Sequence, residues 1–252
     1  MTKKAPDTAD RALEMKIHGL NACLALYKGR PSAIIRLYLS EKRLKVLSDV
    51  VRHCVEKKLA YHVVSEEELN EVSGATHHEG VCMVIRRKKN ASESELKVLA
   101  QSAGAWLALE EVENPHNLGA IVRTAAHFGV KAIFLMGKKS SWQNGAFYRT
   151  AEGGAEAVLI YPVDNWAHLL ELKTKLGLTL MATSSHKGKN LFKLELPKKA
   201  LFMMGAEGRG LSPDALKAAE VLLQIPGTNS VESLNVSTAT AVFMGEWFRP
   251  NS

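Results

Sequence analysis

The sequence predicts an α/β protein: a parallel sheet interleaved with helices in the C-terminal part, preceded by a smaller α/β unit. Two observations carry this reading. From residue 104 onward, short apolar runs alternate with stretches of helical periodicity, and a less regular set of the same kind fills the chain up to residue 88. Runs that are apolar throughout belong to strands covered on both faces. This points to a parallel sheet, whose ligands collect beyond the carboxyl ends of the strands. At 252 residues and 46% hydrophobic content, the chain has enough apolar surface to bury such a core.

Residues 1–15 are polar and read as a disordered arm. IHGLNACLALYKG then reads as a short helix, IIRLYLS as a strand and EKRLKVLSDVVRHCVEKK as a helix. LAYHVVS is strand-like. SEEELNEVSG is a short helix with a serine cap and a glutamate three positions on, and GVCMVIRRKK closes a unit over 16–88 with another strand. The polar RKKNASESELKVLAQ reads as a linker, placed at 89–102. In the domain expected over 103–252 the strand candidates are WLALEEV, KAIFLMG, AEAVLIYP, LTLMATS, ALFMMGAE and EVLLQIP.

Composition excludes several classes. No apolar run reaches the length of a membrane span and no apolar stretch follows the N-terminal lysines, so a cytoplasmic protein without a membrane partner is expected. Cys23, Cys54 and Cys82 lie far apart with no C-x-x-C spacing, which argues against disulfides and a zinc site. His77-His78-Glu79 lacks a third ligand nearby, so no metal is expected. A net charge of +7 favours a polyanionic partner. The clusters Arg86-Arg87-Lys88-Lys89, Lys138-Lys139, Lys187 with Lys189, and Lys198-Lys199 form either solvated surface or an RNA track.

Three segments have the residue types that chemistry needs. In ENPHNLGAIVRTAAHFGV, Asn117 is positioned to cap a helix with an apolar face of Leu118, Ile121, Val122, Ala125 and Phe128. Arg123 falls on the opposite face between the small residues Gly119 and Ala126, which leaves a guanidinium open to a bulky anion or simply solvated. In FMMGAEGRGLSP a strand enters a loop with Gly205, Gly208 and Gly210 around Glu207, and Ser212-Pro213 opens a helix. This loop has neither a dinucleotide nor a nucleoside-triphosphate fingerprint and reads as a ligand loop or a tight connection. In SVESLNVSTATAVFMGEWF, Val236, Ala239, Phe243 and Trp247 set a core helix beginning at Asn235. Ser233, Asn235 and Ser237 exceed what one cap requires, so they either touch a ligand or over-cap the helix.

Together these segments resemble the SpoU family of RNA 2′-O-ribose methyltransferases, within the SPOUT class. N-x-G-x-x-x-R is present as Asn117, Gly119 and Arg123, G-x-E-x-x-G-L-S as Gly205 to Ser212, and S-L-N-V-S as Ser233 to Ser237. Residues 17–86 resemble the family's small substrate-binding domain. The resemblance implies a deep trefoil knot in the C-terminal domain, a homodimer through that domain, and S-adenosylmethionine held by backbone around Gly205, Ile225 and Leu234, with Thr183 beside them. It implies methyl transfer to a ribose 2′-hydroxyl of RNA, ribosomal ahead of transfer RNA. Asn117, Glu207, Ser233 and Asn235 would shape the pocket, and Arg123 would be the candidate for proton removal. A charged guanidinium is a donor and not an acceptor, so Arg123 reads better as a phosphate clamp. The chain departs from the family's I-P-M-x-G at Ile225-Pro226-Gly227-Thr228-Asn229, where asparagine has to supply the left-handed backbone. Rival readings are a base-nitrogen methyltransferase of the same fold and an RNA-binding paralogue without turnover.

Overall fold

The computed structural model describes residues 14–137, 142–206 and 208–251, and the chain divides into two compact units. The first contains the described residues up to Lys89 together with Gln143–Glu156. It runs β1 (Glu14–His18), α1 (Leu20–Gly29), β2 (Ile34–Leu39), α2 (Ser48–Glu56), β3 (Ala60–Val63), α3 (Glu66–Ser73) and β4 (Val81–Arg86). The sheet order is β1-β4-β2-β3, with β4 antiparallel to β1 and β2, and β3 parallel to β2.

The stretch read as one helix from Ile17 begins instead as the end of β1, which starts inside the expected disordered arm. Met15 and Ile17 are buried, Lys16 is exposed, and Gly19 at φ 97° breaks the strand before α1. The strand is five residues long, its alternation ends at Ile17 because His18 is buried as well, and it lies in a polar context. The single helix expected over residues 41–58 is likewise shorter: a 3-10 turn, Glu41–Arg43, precedes α2. The reading of α3 holds, with Ser65 and Glu68 forming a reciprocal cap and Gly74 closing the helix in left-handed geometry. Within the same unit the helix Gly145–Ala151 packs on β1, and Arg30 forks onto Glu156 through Nε (2.9 Å) and Nη2 (3.0 Å). All three cysteines are buried and free, and burial pushes the Cys82 thiol up to about 11.

The second unit holds the described residues of Asn90–Trp142 and Ala157–Ser252. Its elements are α4 (Glu93–Leu99), β5 (Trp106–Glu110), α5 (Pro115–His127), β6 (Ala132–Met136), β7 (Leu159–Val163), α6 (Trp166–Leu176), β8 (Thr179–Thr183), β9 (Lys189–Asn190), β10 (Ala200–Met204), α7 (Pro213–Ala218), β11 (Val221–Gln224) and α8 (Val236–Phe248). All six strand candidates form, joined by the two-residue β9, in a parallel sheet of order β7-β6-β5-β10-β8-β11-β9. On one face Trp106, Phe134, Leu180, Leu201 and Met203 pack with Leu96, Leu169, Leu172 and Ala215 from α4, α6 and α7. On the other, Phe202 meets Phe243 of α8, and α8 packs along α5.

The expected linker is therefore partly a helix of this unit. Ser92 and Glu95 cap α4 reciprocally, and Leu96 enters the core. The basic clusters are also not uniformly solvated. Lys88 Nζ donates to the Ala155 carbonyl at 2.7 Å and Lys199 Nζ to that of Ala100 at 2.6 Å, while Lys138-Lys139 lies outside the described residues.

Candidate active site

Beyond the carboxyl ends of β5, β8, β10 and β11 lie two adjoining cavities of the second unit. The larger, about 650 Å³, is walled by residues 183–186 after β8, 204–206 and 208–211 after β10, and 224–236 after β11. The smaller, about 480 Å³, is lined by Glu111, Glu113, Asn114 and Asn117, and shares Ala206 and Arg209 with the larger. Both lie within the range of small-molecule sites.

The turn after β10 folds back on itself. Gly210 N donates to Ala206 O at 2.9 Å, and Gly208 and Gly210 adopt φ 76° and 69°. A Cβ on Gly205 would strike the backbone of Gly210 and Leu211, so no other residue fits there. The turn is held from below by Glu110, which is 8% exposed. Its Oε2 accepts from Ser212 N at 2.9 Å and its Oε1 from Trp166 Nε1 at 3.1 Å. Sequence reading missed Glu110. Its signal was an acidic residue at the end of an otherwise apolar strand, where a buried carboxylate must find donors.

The turn after β11 accommodates its departures. Asn229 takes φ 64°, the left-handed backbone expected of it, while Gly227 does not use positive φ and a Cβ there would meet nothing within 4 Å. Exposed Leu216, Val231 and Leu234 add apolar wall to a cavity otherwise rich in hydroxyl and amide groups. Thr183 lines it while donating its hydroxyl to Met203 O at 2.7 Å, which fixes the junction of β8 with β10.

Asn235 resolves the crowded entrance of α8. As N-cap, its Oδ1 accepts from Ser237 N (2.8 Å) and Ser237 Oγ (2.6 Å), while its Nδ2 donates to Asn117 Oδ1 at 3.2 Å. Asn117 is not the cap of α5, contrary to expectation. Asn114 is, accepting from His116 N at 2.9 Å, and Asn117 sits within the first turn where its amide meets Asn235. The preceding Pro115 at the first helical position favours this earlier start.

The structure thus gathers Thr183, Gly205, Ile225, Ser233, Leu234 and Asn235 on one cavity and joins Asn117 to them through Asn235. Arg123 is not among them. It is exposed on α5, six residues and roughly 9 Å along the axis from Asn117, and lines neither cavity. Glu207 lies outside the described residues. Arg209 Nη1 lies 3.8 Å from Glu111 Oε2, an exposed pair of small energetic weight. Among the described residues no group of three or more His, Cys, Asp or Glu side chains is arranged to hold a metal, and no helix is long and apolar enough to cross a membrane.

The fold is shared with solved structures of RNA methyltransferases. The crystal structure of an AdoMet-bound rRNA methyltransferase from Sinorhizobium meliloti superposes with a TM-score of 0.79 at 23% identity, over 96% of this chain and 89% of that one. Residues 104–245 match the SpoU rRNA Methylase family, and residues 16–91 match the RNA 2′-O ribose methyltransferase substrate-binding family. The chain belongs to the SpoU rRNA methylase family. It is 40% identical to an uncharacterized tRNA/rRNA methyltransferase, YfiF, of Escherichia coli O157:H7, over 96% of this chain and 70% of that protein. It is 32% identical to the 23S rRNA (guanosine-2′-O-)-methyltransferase RlmB of Pseudomonas aeruginosa, over 93% and 96% of the two chains.

Proposed function

We propose that the protein is an S-adenosylmethionine-dependent methyltransferase acting on the 2′-hydroxyl of a ribose in structured RNA, ribosomal ahead of transfer RNA. The observation that carries this is the hydrogen bond of Asn235, which lines the larger cavity with Ser233 and the glycine turn after β10, to Asn117, which lines the adjoining one. The residues present fit the cofactor: a cavity of about 650 Å³ with backbone-lined turns, a Gly205 that admits close approach, and apolar Leu216 and Leu234 beside polar groups. S-adenosylmethionine supplies an electrophilic methyl group at a sulfonium centre.

The chain's own residues then hold and orient. Backbone around Gly205, Ile225 and Leu234, with Thr183, forms the cofactor side. Asn117 from the smaller cavity, and Ser233 and Asn235 from the larger, orient the hydroxyl, a role the family resemblance also gives to Glu207. Arg123 clamps the adjacent phosphate, since a guanidinium remains protonated and donates. The 16–88 unit holds RNA. The C-terminal domain, over 103–252, is knotted and pairs with a second copy, in the cytoplasm. The position of Arg123 outside both cavities of its own chain supports such a pair, in which each copy completes the other's site.

Calorimetry with S-adenosylmethionine, followed by transfer of a labelled methyl group to ribosomal RNA and nucleoside analysis, tests the proposal. Label on a ribose is the expected result. Label on a base, or RNA binding without cofactor binding, would replace it with a base methyltransferase or a non-catalytic paralogue.

A further inference from the structure

The first unit carries one sheet face that is covered only in part: His18 of β1 and Cys82 of β4 are buried on it, with the helix Gly145–Ala151 against His18, while its β2–β3 side is open. Register places Lys16, Val84, Arg36 and Ala60 side by side across β1, β4, β2 and β3, with Tyr38 and His62 neighbours in the next row. The opposite face holds Ile17, Met83, Ile85, Leu37 and Leu39, all buried. On the first face Lys16, Arg36, Arg86 and His62 are exposed, and Tyr38 is half-buried. A sheet face in the interior of a fold would bury this row. Here two strands of it present cations flanking an aromatic pair.

That pair is ordered. The Tyr38 and His62 rings stack with centroids 5.1 Å apart and planes 20° from parallel, and Arg36 Nη1 donates to the Tyr38 hydroxyl at 3.1 Å. His62 sits on the edge strand β3, all four residues of which are exposed, so a further planar group can extend the stack from the sheet's edge. Cations beside a sequence-tolerant stacking surface match unpaired nucleotides, whose bases are available to stack and whose phosphates need countercharge. A paired helix keeps its bases stacked inside and could use only the cations. Glu14, opposite Arg86 in the register, is the acidic residue on this face, and it lies at the far end of the sheet from His62.

We infer that this sheet face is a docking platform for unpaired nucleotides of the substrate RNA, with a base stacking on the His62–Tyr38 pair and phosphates passing over Arg36 and Lys16. The inference rests on the reading of this unit as RNA-holding. It adds which face binds and that single-stranded segments are what it binds.

The test uses the full chain with two labelled RNAs, a stem with an unpaired loop and the same stem as a blunt duplex, measured by fluorescence anisotropy over a salt series. His62→Ala is expected to weaken loop binding by about 5- to 100-fold and to leave the duplex unchanged within about twofold. His62→Phe restores the loop affinity. Arg36→Ala reduces the slope of log affinity against log salt for the loop RNA by about 0.7, one single-strand phosphate contact. Thermal melting and S-adenosylmethionine calorimetry on each variant check the fold, and His62→Asn serves as a second ring-poor variant if the alanine form melts early. Unchanged loop affinity in His62→Ala, equal loss for both RNAs, or no recovery with phenylalanine overturns the platform while leaving the enzyme reading intact. A wild-type chain that binds cofactor but neither RNA overturns the RNA-holding role itself.

Discussion

Asn235 caps α8 through Oδ1 and holds Asn117 through Nδ2, so the two functions separate by substitution. Asn235→Asp keeps an acceptor for the cap but cannot donate to Asn117. We expect a melting temperature close to wild type and turnover reduced by roughly tenfold or more, of the order of one lost orienting hydrogen bond. Retained turnover in a single-turnover assay would remove this contact from the chemistry. The two glycines at the cavity behave oppositely. Gly205→Ala has no room for its Cβ and should abolish cofactor binding by calorimetry. Gly227→Ala meets nothing and lies outside the left-handed region, so it should stabilise the fold by about 0.4–1 kcal/mol in denaturant titration.

At the scale of elements, β1 contains a group that responds to acid. His18 is buried at its end, and its Nδ1 has no hydrogen-bond partner among the described residues. Burial lowers its pKa from the ordinary 6.5, the charges of Arg149 and His78 lower it further, and Glu79 opposes them. The unfolded chain therefore binds the proton more readily than the folded one. His18 leaves stability unaffected above 6.5 and costs stability as pH falls through 6.5 toward the lowered value. Melting at pH 7.5 and 5.5 should show the loss, with a smaller difference in His18→Leu; an identical difference in both would refute the assignment. The elements that were misread share a cause. β1 and α4 each carry few apolar residues within charged stretches, and only their partners, β4 and the β5–β10 core, show which side of each is inside. Glu110 escaped notice for the same reason, because its donors come from Trp166 and Ser212, 56 and 102 residues away.

For the whole molecule, the prediction concerns assembly. Arg123 lies outside its own chain's cavities, on a helix packed against α8, and Phe128 and Phe248 meet at that helix pair with ring centroids 5.6 Å apart. If a second copy completes the site, Arg123→Ala and Asn235→Asp, each impaired alone, complement when mixed. With random pairing, half the dimers are mixed and each has one intact site, giving on the order of a quarter of wild-type turnover. No recovery on mixing and re-equilibration would place Arg123 in action on its own chain's substrate. Sedimentation at the assay concentration confirms that pairs form.

The sequence by itself determined the α/β class, all six long strands of the parallel sheet, the helix starting at Asn235, and the segments that wall the cavity. These depend on local periodicity, on glycine and cap chemistry, and on motifs whose spacing is intact. It also determined that Asn229 supplies the left-handed turn that glycine would otherwise give. Tertiary structure alone decided that Asn117 meets Asn235 across 118 residues, that Glu110 anchors the glycine turn, and that Arg123 lines neither cavity. Local sequence specifies which backbone shapes a segment can take. Which side chains meet depends on where the sheet carries each strand's carboxyl end, and that is settled only when all the strands have packed.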